Sequence, residues 1–419
     1  MERVVISYNE SLEILNSIEL EPTKVVELPL MQAQDMFLAE DIVASFNSPE
    51  FATSAMDGYA IKAEDQALGE LKVIAINPAG ADEVPTLIGG KAIKTFTGSL
   101  MPKDSDTLIP IENVEYENGK ITIKEDVPFG FSVREAGENF KKGELLIKKG
   151  TKIDFEQIAV LASLNYVTVK VYSKVDVAVI ATGSELLELG QEQTKESQIR
   201  SSNNYTIEAI AKKYGANAIN YGCINDDVES IKRVFKEALS KSDIVVSTGG
   251  VSVGDFDFVK DVVRDELGAS VLFKGVVIKP GQHIMVAKAG NKVIIALPGF
   301  AYSSTVTALV YLLPIIYKYY NSEYSMPIVE AKLKSKYTKK SKKTEFTPAN
   351  LTIKEGELSV DFIGKKDGTS AIMTNMLGNT ALTITSSDDS SKDAGEKIQT
   401  YIYNFNFLQG GKLWMVLTK

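Results

Sequence analysis

The chain has 419 residues, 44% apolar and 24% charged, with a net charge of −9. That is the balance of a globular protein of several domains, and it argues against nonspecific nucleic-acid binding. One cysteine, Cys223, excludes an internal disulfide, and one histidine, His283, excludes a His/Cys zinc site and argues against a Ser-His-Asp triad, so any metal is expected to be oxygen-liganded, Mg²⁺ first.

In chain order, MERVVISYNE holds no apolar signal core. The helical pattern SLEILNSIEL and the later DFEQIAVLASLN are expected to belong to one linker domain made of residues 1–45 and 145–174. Between them, residues 46–144 are rich in short strand patterns, Gly and Pro, which predicts an inserted β-rich domain. Two polar stretches stand out there. FATSAMDGYA places Asp57 before Gly58, a turn signal in itself, and TFTGSLMP offers Thr97 and Gly98 before a proline.

From Val175 strands and helices alternate. VDVAVIATG reads as a buried strand, YTIEAIAKKYG as an amphipathic helix closed by Gly215, and ANAINYGCI as a second strand. VESIKRVFKEALSK follows as a helix with Asp226 and Asp227 as capping candidates, then the strand DIVVSTGG and the helix DFVKDVVRDELG. VLFKGVVIKPG and KVIIALPG read as further strands before a long helix from about Tyr302 to Tyr320. This alternation predicts a doubly wound, mostly parallel α/β domain over residues 175–325. The longest apolar stretch, TVTALVYLLPIIY, is too short for a membrane span and carries Pro314, so no membrane and a cytoplasmic location are expected. After Pro327 the lysine-rich KLKSKYTKKSKK is read as a solvated strand or loop. Short strand patterns such as GELSVDFIG and TALTITSS predict a small β domain over residues 326–419.

Ligands of open α/β sheets sit outside the carboxyl ends of the strands. Four strand ends carry marked turns here: ATGSEL, STGGVSVGD, KPG and LPG. Gly249, Gly250 and Ser252 offer a flexible backbone and a hydroxyl to an anion, and Glu185, Asp255, Asp257 and Lys279 stand beside these turns. Taken alone, the residues point to an anion-and-metal site on an α/β domain, without fixing the reaction.

The motifs SAMDGYA, FTGSLMP, TGSEL, TGGVSVGDFDF, KPG and LPG, in this order, resemble those of the molybdopterin molybdenumtransferase family, and the resemblance covers nearly the whole chain. It implies a homodimer of four-domain subunits with a doubly wound molybdopterin-binding domain and a small barrel-like C-terminal domain. It also implies a divalent-metal-dependent reaction in which molybdate or tungstate and adenylylated molybdopterin give the metal-loaded pterin and AMP. The site would lie between the α/β domain of one subunit and the β-rich domain of the other.

The resemblance places Asp57 and Thr97 in that shared site, with Glu185, Asp257 and Lys279 as catalytic groups and the two acids on the metal. Asp227, Lys274, Gly249, Gly250, Ser252, Ser303 and Ser304 would bind substrate, although Asp227 as a helix cap and the two serines as a helix start are the plainer readings. The chain departs from the family pattern near the same pocket, with Asn139, Ser184, Ser201, Gln282, Phe300 and Ala301 where acids, a lysine, an asparagine and a proline are usual. Fewer acids weaken cation binding. The alternative reading is therefore a non-catalytic paralogue that binds molybdopterin or serves as a scaffold.

Overall fold

The computed structural model describes residues 5–251, 258–366, 370–378 and 380–403. The chain divides into two compact units, residues 40–149 with 154–168, and residues 1–39, 150–153 and 169–419. The two stretches expected to share a linker domain are distributed between them, with the helix Tyr8–Ser17 in one unit and the helix Phe155–Ser163 in the other.

The smaller unit is built on a six-stranded sheet. Its strands are β1 (Gly58–Ile61), β2 (Glu70–Asn77), β3 (Lys91–Thr95), β4 (Thr107–Pro110), β5 (Val114–Glu117) and β6 (Lys120–Ile123), in the order β4-β1-β3-β2-β6-β5. Only β2 and β3 run parallel. Tyr59, Ile61, Leu71, Ala92, Ile109 and Ile121 pack together as its core, and the strands β1 and β4 are buried along their whole length.

The larger unit holds the α/β sheet and a barrel. The sheet consists of β7 (Asp176–Thr182), β8 (Asn217–Ile224), β9 (Ile244–Thr248), β10 (Ser270–Lys274), β12 (Met285–Ala289) and β13 (Lys292–Leu297), ordered β8-β7-β9-β13-β12-β10. The first four of that order are parallel, and the last two strands are antiparallel additions. Strand β7 is buried almost end to end, because helices cover both faces of a parallel sheet. The helix Val228–Lys241 turns Ile231, Phe235 and Ala238 inward at helical spacing. A last helical stretch, Ala301–Lys318, is buried nearly all round, and its middle turn, Ala308–Leu312, is π-helical just before Pro314, where the missing N–H breaks the regular ladder.

The C-terminal strands β14 (Ile328–Leu333), β15 (Thr344–Lys354), β16 (Glu357–Asp361), β17 (Thr380–Thr385) and β18 (Lys397–Tyr401) close on themselves. Strand β15 pairs with both β16 and β17, and β16, β14, β18 and β17 complete the circuit, so the expected small barrel is present. Its core holds Ala331, Leu333, Ala349, Leu351, Val360 and Ile398.

The apolar run VLFKGVVIKPG corrects one expectation. It is two strands: β10 ends at Lys274, and β11 (Ile278–Lys279) pairs in parallel with β15 of the barrel. Gly275, at φ +82°, makes the break, and its amide donates to the Ile284 carbonyl while Val277 donates to Ile6. The KPG turn thus belongs to the barrel's edge, so three of the four marked turns end strands of the α/β sheet. Strand β12, absent from the sequence reading, fills the place beside β13.

Candidate functional site

At the carboxyl edge of the parallel strands, the turns after β7, β9 and β13 touch one another. The hydroxyl of Thr182 donates to the Thr248 carbonyl at 3.4 Å, and the Gly249 amide donates to Leu297 at 3.1 Å. A Cβ on Gly249 would lie 2.5 Å from the Thr182 carbonyl oxygen, and one on Gly250 would lie 2.6 Å from Val259 Cγ2. Both glycines have positive φ, +93° and +67°. Gly299 lies close enough that its Cβ would be 3.7 Å from the Gly249 Cα. The glycines let three loops pack at backbone-to-backbone distance, which leaves main-chain groups at the surface where a ligand of such a sheet sits.

Glu185 stands on this edge, exposed. Its carboxylate oxygens lie 2.8 and 2.9 Å from where a Gly183 Cβ would be, so the acid folds back over the bare glycine. Ser184 accepts a bond from the Asp226 amide at 3.4 Å, which ties the β7 turn to the β8 turn. Asp227 caps the helix Val228–Lys241, accepting from the Ser230 amide at 2.8 Å. That bond is the main reason its carboxyl sits below the usual range.

Behind Glu185, Glu188 accepts from Tyr205 at 2.8 Å and from the Cys223 amide, binding the two turns a second time. Burial opposes the charge on Glu188, but these two bonds outweigh it and hold its carboxyl below the usual range. Burial pushes the Cys223 thiol up to about 11, so it is neutral at physiological pH. Lys274 ends β10 opposite Met285, which is itself opposite Ala296 of β13, so it lies at the same edge of the sheet. Ser201 is buried and bonds Asn204 at 2.8 Å, while Phe300, just after Gly299, is 62% exposed.

Ser303 and Ser304 are buried. The Ser303 amide donates to the Ser370 carbonyl at 3.2 Å, the Ser304 amide to Phe300 at 2.9 Å, and the Ser304 hydroxyl to Ala301 at 3.1 Å. Both amides and the Ser304 hydroxyl are thus engaged within the protein. Ser252, Asp255 and Asp257 lie outside the described residues. Among the described residues no three of His, Cys, Asp and Glu gather as a metal cluster.

Lys279 lines a separate cavity of about 270 Å³ between the barrel and the start of the last helix. Lys336, Lys340, Lys365 and Lys366 line it too, with Tyr302, Tyr337 and, as the one acid among the described residues, Glu345. Among the described residues, several ammonium groups around one carboxylate favour an anionic occupant. Gln282, where the family pattern has lysine, accepts a bond from Lys343. The lysine-rich stretch read as solvated thus supplies Lys336 and Lys340 to a cavity. A run of lysines carries no local signal for that, because only the barrel's closure brings them to Lys279.

In the smaller unit the two polar stretches of the sequence meet. The amide and hydroxyl of Thr97 both bond Asp57 Oδ1, and Gly98 donates to Ser54, with Ser54 donating to Ser99. Gly58 is bare because a Cβ there would strike the Ile109 carbonyl of β4.

Residues 6–165 match the family described as MoeA N-terminal region (domain I and II), and residues 178–318 match the family described as probable molybdopterin binding domain. A molybdopterin molybdenumtransferase of Staphylococcus epidermidis is 33% identical over 365 residues, 85% of this chain and 86% of that protein. One from Bacillus subtilis is 32% identical, covering 87% of each. A crystal structure of a molybdopterin biosynthesis MoeA protein from Pyrococcus horikoshii superposes with a TM-score of 0.81 at 30% identity, over 95% of this chain and 100% of that one.

Proposed function

The chain belongs to the molybdopterin molybdenumtransferase family, and we propose that it inserts molybdenum into adenylylated molybdopterin with release of AMP. The convergence of the β7, β9 and β13 turns at one carboxyl edge, with Glu185 among them, carries this reading. Such an edge takes the pterin and its phosphates, with the backbone amide of Gly250 facing phosphate oxygen, since that of Gly249 is held by Leu297. Molybdate, or tungstate, is an anion and fits the lysine cavity around Lys279, with Lys274 as a further cation at the sheet edge. Ser303 and Ser304 support the start of the last helix and do not contact substrate in this reading.

The donor set suits a divalent cation of the magnesium kind. Mg²⁺ is held by one or two carboxylates together with substrate phosphates and keeps several waters, so a pair of acids is enough. Glu185 and Asp257 are the two we assign to it. A cation held there would offset negative charge on the pyrophosphate as AMP departs. Asp57 and Thr97 act in the same reading from the partner subunit of a homodimer, and the four-domain division given by the sequence is part of it. The location that suits this substrate is the cytoplasm. Among the described residues no helix is long and apolar enough to cross a membrane.

The test is AMP release from adenylylated molybdopterin by the purified protein with Mg²⁺, with and without molybdate or tungstate. Oxyanion-dependent release, lost in Glu185→Ala, supports the transferase and names its metal. Tight pterin binding without AMP under either oxyanion would replace it with a binding or scaffolding role.

A further inference from the structure

Among the described residues the lysine cavity is lined by one acid, and that acid is among the most constrained groups in the barrel. Glu345 is 4% exposed. Its Oε2 accepts from the Tyr337 hydroxyl at 2.8 Å and its Oε1 from the Ser341 hydroxyl at 2.7 Å. Tyr337 is itself buried, with Thr347 and Thr385 hydroxyls 3.2 and 3.3 Å from its own. The carboxylate is fixed from both sides. Lys279 Nζ lies 3.6 Å from Oε1. The backbone enforces this meeting, because β11 and β15 pair with Lys279 opposite Glu345.

We propose that Glu345 is a positioning residue that holds the Lys279 ammonium at the cavity mouth, oriented toward the bound oxyanion or phosphate. The inference rests on the reading of Lys279 given above. The physical need is plain. The side chain of Lys279 is 42% exposed, and four other lysines line the same space. Mutual repulsion and rotamer entropy would carry its long side chain into solvent. Lys365 avoids this with its own anchors, the carbonyls of Asn375 and Leu377 and the hydroxyl of Thr380 at 2.9, 3.0 and 2.6 Å. Lys279 has Glu345. At 3.6 Å the contact is an ion pair, which restrains the ammonium and leaves its donors to face an anion, already aimed when the anion arrives.

The substitution Glu345→Gln keeps the shape and removes the charge. With no ligand present, labelling by an acetylating N-hydroxysuccinimide ester is followed by mass spectrometry, with lysines of residues 40–149 as internal references. Labelling of Lys279 should rise several-fold in Glu345→Gln. In AMP release, kcat/KM for molybdate should fall about tenfold or more, as misplacement of a group that meets the anion implies. Tyr337→Phe, which removes one of the two hydroxyl anchors, should give a smaller change in the same direction, and it serves if Glu345→Gln folds poorly. Unchanged Lys279 labelling in well-folded variants overturns the proposal, whatever happens to kcat/KM. A parent protein that releases no AMP overturns the transferase reading alone, since the labelling still decides whether Glu345 holds Lys279.

Discussion

Thr97 gives Asp57 two hydrogen bonds on one oxygen, from its amide at 2.8 Å and its hydroxyl at 2.7 Å. The amide bond first and the hydroxyl bond second hold the Asp57 carboxyl below the usual carboxylate range, and Lys94 adds a smaller pull. A group with a depressed folded pKa stays ionised to lower pH than in the unfolded chain, and its advantage disappears as pH falls through that lowered value. Thr97→Val removes the hydroxyl donor and keeps the shape. The acid limb of the kcat/KM profile should therefore move to higher pH, with activity near neutrality less affected. A profile measured from about pH 2 to 7 decides it, and superimposable acid limbs would take the ionisation of Asp57 out of the reaction. Asp57 is exposed, so thermal stability should barely respond.

Asp227 is engaged as a helix cap. Its carboxylate accepts from the Ser230 amide, and this exposed acid starts a helix that buries Phe235. Asparagine caps as well as aspartate, whereas alanine does not. Asp227→Asn should melt like the parent and keep its AMP release, and Asp227→Ala should melt at lower temperature. Loss of turnover in the Asn variant at unchanged melting temperature would return Asp227 to the substrate site.

Gly249 and Gly268 both have positive φ, +93° and +61°, but only Gly249 has a crowded Cα. Alanine at either pays the left-handed backbone penalty, about 1–3 kcal/mol at a strained position. At Gly249 the new methyl would also press on Thr182 and move the β7 turn that carries Glu185. The urea midpoint should fall further for Gly249→Ala than for Gly268→Ala, and only the former should lose pterin binding. Equal losses in both would mean that the three turns do not depend on close packing.

The sheet and its helices were legible because periods of 2 and 3.6 are local signals. The strand from Asp176, the capped helix after Asp227 and the nearly all-buried last helix follow directly from those patterns. The break after Lys274 was not legible. An apolar run reads as one strand, and only the pairing of Ile278–Lys279 with Thr344–Glu345 reveals a second sheet. The meeting of Asp57 with Thr97 and of Lys279 with Glu345 has the same character, since each joins residues far apart in sequence. Motif resemblance assigned both residues of the first pair to one expected site, without their bond. The second has no local trace, because a lysine run and a buried glutamate gain meaning only after the barrel closes.

Phe300 provides the last test, because it is the largest departure from the family pattern at the sheet edge. It follows Gly299, whose carbonyl accepts from Asn203 at 2.7 Å, and it is 62% exposed. An exposed ring has little to contribute to the core, so Phe300→Ala should change stability by no more than about 0.5 kcal/mol. Beside a site for a flat heterocycle, the same ring can stack, and a stacked aromatic is worth roughly 1–3 kcal/mol per base in comparable nucleic-acid sites. Phe300→Ala should therefore weaken molybdopterin binding about tenfold in a fluorescence titration, and Phe300→Tyr should restore it. Unchanged affinity in the alanine variant would place the pterin away from the Gly299 turn and leave Phe300 as an exposed residue with no part in binding.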